Sequence, residues 1–172
     1  MRRMPMAFIA LFATMCATGK QSPPDLIGVW QMDASRSESA HQATPIGPVT
    51  ITIERNADEL SIETRKGSDR KPGSTEKLTY RLDGAESSTV NNAGTQIKAK
   101  AHWDGSKLVT ETTRNIQGST VTTMCVFSLD ASGNELTVDR SLTVQHGYQF
   151  EGAANTGTAK DVFTRSKRSA KK

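Results

Sequence analysis

Residues 95 to 129 alternate apolar and polar side chains with a period of two, broken only by short turns. No other feature of the chain constrains its fold as much. Ile97, Ala99, Ala101 and Trp103 alternate with Gln96, Lys98, Lys100 and His102; after Asp104-Gly105, Leu108-Val109-Thr110 begins the return. A strand of this period turns one set of side chains to a buried face and the other to water. Asp-Gly suits a tight hairpin, because both central residues of such a turn tolerate positive φ, Gly at no steric cost.

The same rhythm recurs along the chain. Strands are predicted at 26–32, 49–55, 59–65, 76–82, 95–103, 107–114, 119–129, 135–143 and 159–165, with Val49, Ile51 and Ile53, or Leu78, Tyr80 and Leu82, on one face. Asn56-Ala57-Asp58, Asp83-Gly84 and Asn115 to Gly118 lie between runs, and short connections of this kind join neighbouring antiparallel strands. An open sheet of that size leaves two edges that invite aggregation, and closure removes them. The expected fold is all-β, an antiparallel up-and-down meander closed into a barrel of eight or nine strands. A β-sandwich is the structural alternative. Longer connections fall at 33–48, 83–94 and 144–158, the first with room for one short helical turn and the last, rich in Gly and Ala, reading as mobile.

The ends carry their own signals. Arg2 and Arg3 followed by an apolar stretch and Ala17-Thr18-Gly19 read as a signal peptide over residues 1–19, too short to span a bilayer. Residues 20–25 form a polar linker, residues 26–165 one domain, and residues 166–172 a basic disordered tail. The expected location is therefore periplasmic or extracellular. The alternative is a lipoprotein anchored through Cys16, although Met15 stands where a lipidation motif takes a small residue. With Cys16 removed or lipidated, Cys125 has no disulfide partner; it falls within a strand pattern and reads as an inert, buried thiol.

Charge argues against a nucleic-acid partner. Without Arg2 and Arg3, 20 Lys and Arg face 18 Asp and Glu, and Lys167, Arg168, Lys171 and Lys172 more than account for the excess. A nucleic-acid binder gathers its basic residues on one face, often with stacking aromatics, whereas here the strands carry mixed charge. Enzymatic motifs are missing as well. His41, His102 and His146 have no metal-ligand spacing, and neither a Gly-x-Ser-x-Gly elbow nor a phosphate-cradling loop occurs. The chain is expected to be a monomer without enzymatic activity, cofactor or metal.

Gly28-Val29-Trp30 opens the first strand and Arg165 closes the last, with Trp103-Asp104-Gly105-Ser106-Lys107-Leu108, Leu136-Thr137-Val138 and Val162-Phe163-Thr164-Arg165 between. This order resembles the lipocalin and wider calycin pattern, and in particular small secreted lipocalin-like proteins of bacteria. The resemblance implies that Trp30 packs across a closed barrel end with Arg165 over its ring, a cation–π contact of about 1 kcal/mol. It also implies a carrier of lipophilic molecules, although fold alone does not establish function.

The inward face supplies the candidate binding residues.

 Ala99 and Ala101, small side chains beside Trp103, leave room in the lumen, with Tyr80 and Val138 in the apolar wall around it. Arg140 shares the parity of Leu136, Val138 and Leu142, and Arg114 that of Leu108, Thr110 and Thr112, so both are expected to point inward. A buried Arg needs a partner, and a ligand carboxylate held in a bidentate contact would supply one. The expected ligand is then a small lipophilic molecule, a carboxylic acid in this reading. The plainer alternative puts both arginines at strand ends in solvent, beside Glu111 or Asp139. A second class of function is a non-enzymatic envelope protein acting through protein contacts, as an inhibitor or assembly factor.

Overall fold

The computed structural model describes residues 23–68, 71–91, 93–146 and 155–166. The leader, Cys16, the basic tail from residue 167 and the middle of the 144–158 connection lie outside the described residues. Ten strands form one antiparallel sheet: β1 (Gly28–Met32), β2 (Val49–Asn56), β3 (Glu59–Ser68), β4 (Lys71–Arg81), β5 (Ser87–Val90), β6 (Gln96–Asp104), β7 (Lys107–Ile116), β8 (Ser119–Leu129), β9 (Glu135–Gln145) and β10 (Asn155–Arg165). Their order is β4-β3-β2-β1-β10-β9-β8-β7-β6-β5, so the first and last strands pair at the centre and β4 and β5 are the edges.

The sheet curls until these edges meet, giving a nearly closed barrel. No ladder joins β4 to β5. Instead the Ser87 hydroxyl lies 2.6 Å from the Thr79 carbonyl on β4 and 3.2 Å from the Ala99 carbonyl on β6. The expected eight or nine strands are thus corrected to ten. β5 is the addition: Ser87-Ser88-Thr89-Val90 has no apolar alternation, and its extended form comes from pairing with Gln96 to Ala99. β4 and β10 also start earlier than the apolar pattern suggests, because their ladders to β3 and β9 continue through polar residues.

Turn chemistry follows the sequence with one correction. Asp104 pairs with Lys107, so the central residues of that hairpin are Gly105 and Ser106, not Asp104 and Gly105. Gly105 takes φ +58, which fits a turn that wants Gly at its first central position. At the β7–β8 hairpin both Gln117 and Gly118 have positive φ, the doubly left-handed turn that matches strand twist.

One end of the barrel is packed solid. Trp30, Ile53, Leu60, Leu108, Phe127, Leu136 and Phe163 converge there, and Trp30, Leu108 and Leu136 have no exposed surface. The Trp30 indole N–H donates to the Leu26 carbonyl at 3.0 Å, which satisfies its only polar atom. Arg165 covers the ring, its guanidinium carbon 4.2 Å from the centroid, and donates to the carbonyls of Ile27, Asp25 and Gly133. Gly28 sits beneath that guanidinium at φ +148. A Cβ there would lie 3.0 Å from Arg165 Nη1, so the glycine that precedes Trp30 by two is required by both backbone and space.

The connection from β1 to β2 crosses beside β10 and contains a single 3-10 turn, Glu38–His41. It continues the pairing of β10 where β1 stops. Asp33 N–H donates to the Val162 carbonyl, and Val162 N–H donates to the Ser37 hydroxyl. Ser37 and Ser39 are completely buried in this crossing.

Candidate ligand-binding site

Strand parity decides which side chains line the interior. Across the ladders of β6 to β10, Ala101 stands beside Thr110, Thr110 beside Cys125, Cys125 beside Arg140 and Arg140 beside Ala159. The row beyond it, away from Trp30, is Ala99, Thr112, Thr123, Leu142 and Gly157. Arg114 lies one row further, between Ile97 and Val121. Both arginines therefore point inward, as their parity requires.

Their partners are not those weighed from sequence. Arg114 makes a two-pronged contact with the Glu76 carboxylate on β4, at 2.7 and 3.2 Å, which spans the seam between the sheet edges. Arg140 Nη2 donates to the Ser39 hydroxyl at 2.7 Å and lies 3.8 Å from Asp161 Oδ2. Asp161 in turn accepts the Ser39 N–H at 3.0 Å and the Ser39 hydroxyl at 2.7 Å. Glu111 and Asp139 take no part, because they stand on the opposite face of β7 and β9. Nor do the two arginines meet at one point: four residues along the strand and two strands across separate their backbones by roughly 15 Å.

Tyr80, Ala99, Ala101 and Val138 belong to the packed region. They are 4%, 2%, 1% and 6% exposed. Burial raises the pKa of the Tyr80 hydroxyl above the usual phenol value. Burial also pushes the Cys125 thiol up to about 11, which keeps it protonated and unreactive near neutrality. Exposure of the inward face rises on β9 and at Arg114. Leu142, an inward leucine, is 36% exposed, and the side chains of Arg140 and Arg114 are 28% and 19% exposed. The barrel is plugged around Trp30, and its inner wall is open to solvent at Leu142, Arg140 and Arg114, beside two ion pairs, while Ile97 in the Arg114 row stays fully buried.

Glu76, Asp161 and Ser39 were not among the sequence candidates. Parity carried a signal for two of them: Glu76 alternates with Leu78 and Tyr80, and Asp161 with Phe163 and Arg165. Ser39 lies in a segment without period, and nothing local marks it. Two clefts at the Trp30 end, lined by residues such as Asp25, Asp130, Asn134 and Arg165, include neither Arg114 nor Arg140. Among the described residues no group of three or more His, Cys, Asp and Glu could hold a metal ion, and no helix is long and apolar enough to cross a membrane.

No protein-family model and no curated protein matches the sequence. Solved structures do match the fold. A secretary abundant heat soluble (SAHS) protein from Ramazzottius varieornatus aligns at TM-score 0.57 and 18% identity, over 84% of this chain and 98% of its own. Lipid binding protein 8 of Caenorhabditis elegans aligns at 0.54 and 11%, over 81% and 94%. Fatty-acid-binding protein 1 of Echinococcus granulosus aligns at 0.50 and 12%, over 81% and 96%. The structural neighbours of this chain are calycin barrels of the fatty-acid-binding-protein kind, and at these identities the likeness is one of fold.

Proposed function

We propose that the chain binds a small lipophilic molecule where solvent reaches the inner wall of its barrel, as a carrier and not as a catalyst. One observation carries the reading: the inner wall is sealed at Trp30 yet reached by solvent at Leu142, Arg140 and Arg114. Apolar wall with a few placed polar groups is the usual make-up of a small-molecule site. Neighbours named for lipid and fatty-acid binding support it. The apolar part of the ligand would lie along Val121, Leu142 and Val144, with its polar end toward an arginine.

Titration with Nile red, an uncharged lipophilic dye, tests this. Saturable uptake at one dye per chain is expected, weakened about tenfold by Thr123→Phe, which adds bulk to the inward, half-buried wall. Absence of saturable uptake, or uptake unchanged in a Thr123→Phe protein that melts like wild type, would refute the proposal. The same reading includes export of the protein by its first 19 residues. N-terminal sequencing of protein recovered from producing cells should then begin at Lys20, whereas a start at a lipidated Cys16 would favour the anchored form.

A further inference from the structure

Among the described residues, two arginines and two carboxylates stand on this open wall, and each arginine already has a carboxylate. Arg114 is held by both oxygens of Glu76. Arg140 is held by Ser39 and by Asp161, which is only 6% exposed. Lys66, further out on β3, is exposed. A ligand carboxylate entering this wall would bring a third negative charge. At Arg140 it would accept from the guanidinium nitrogens that Asp161 leaves free, and so place a second carboxylate on a guanidinium whose charge a buried carboxylate already balances. Two carboxylates sharing one counter-charge in a part-buried site repel each other, and the entering acid must lose its hydration without gaining an unbalanced cation.

An uncharged oxygen meets no such obstacle. Arg140 uses one nitrogen, Nη2, for its protein contacts, and its other N–H groups have no protein partner among the described residues. A hydroxyl or carbonyl oxygen can accept from them while the Asp161 pair stays intact. We propose that the barrel selects uncharged, oxygen-bearing lipophiles (long-chain alcohols, aldehydes or esters) over free fatty acids, with Arg140 as the donor and Asp161 and Glu76 as the residues that exclude the acid. This rests on the carrier reading above and narrows its ligand class; it replaces the carboxylic acid expected from sequence.

The test is displacement of bound Nile red at neutral pH by hexadecanol, methyl palmitate and palmitate, which share a chain length and differ in charge. The alcohol and ester should displace the dye at least tenfold more effectively than the acid. Asp161→Asn keeps an acceptor for Ser39 but removes the charge, and should bring palmitate up to the alcohol. Glu76→Gln, at a partly exposed position where folding is less at risk, should raise palmitate affinity through Arg114. Palmitate matching or exceeding the alcohol in wild type would overturn the charge argument and leave the carrier reading standing. Variants that fold normally and still reject palmitate would also overturn it. Saturable dye binding absent altogether would overturn both.

Discussion

The Asp161–Ser39–Arg140 cluster fixes the β1–β2 crossing to the barrel, so Asp161→Ala probes the architecture directly. The substitution removes the acceptor of the Ser39 N–H and of the Ser39 hydroxyl and the counter-charge of Arg140. Removing one member of a buried pair costs about 3–5 kcal/mol, because the other is left uncompensated. The Arg140 side chain is 28% exposed, so water recovers part of this, and a net loss of about 2–3 kcal/mol is expected. For a domain of this size the melting temperature should fall by about 5–10 °C. Urea unfolding followed by tryptophan emission measures the loss, since Trp30 lies in the core. Two controls separate the contributions. Ser39→Ala should cost about 1 kcal/mol, as one hydroxyl is lost. The double variant Arg140→Met/Asp161→Leu should recover much of the deficit, since apolar pairs of similar volume often match buried ion pairs. A loss below about 0.5 kcal/mol for Asp161→Ala would refute the cluster as a structural tie, that being the range of ordinary surface substitutions.

Three further outcomes follow from the geometry. Gly28→Ala should destabilise by about 1–2 kcal/mol and alter tryptophan emission, because φ +148 disfavours a side chain and the new Cβ meets Arg165; unchanged unfolding would contradict this. Arg165→Ala should cost about 2 kcal/mol in urea unfolding, from the lost ring contact and three carbonyl bonds, with Arg165→Lys restoring only part. Cys125 predicts an alkaline effect. Its folded pKa, about 11, stands above the ordinary 9.0, so its contribution is full below about pH 9 and is lost as pH rises to about 11. Stability of Cys125→Ala should fall less than wild type across that window, and equal slopes would show that the thiol does not ionise as described.

Much of the barrel was legible before the structure, and for a local reason. The period of two is a property of the extended backbone, so Ile97, Ala99 and Ala101 announce their strand and face without reference to any neighbour. The same rule turned Arg114 and Arg140 inward. The resemblance to the calycin pattern, and not the period, set Trp30 of the first strand against Arg165 of the last, which the β1–β10 ladder brings together. Parity failed at β5, where Ser87 to Val90 are held extended only by β6.

What parity cannot supply is the identity of a partner across the lumen. Glu76 reaches Arg114 because the sheet closes between β4 and β5, and Ser39 reaches Asp161 because a patternless crossing folds onto β10. Those contacts join residues 38 and 122 positions apart. Sequence by itself therefore determined the strands, their faces and the inward arginines. Closure of the barrel alone decided that these charges are already balanced, because which side chains meet depends on curvature and register that no single strand contains.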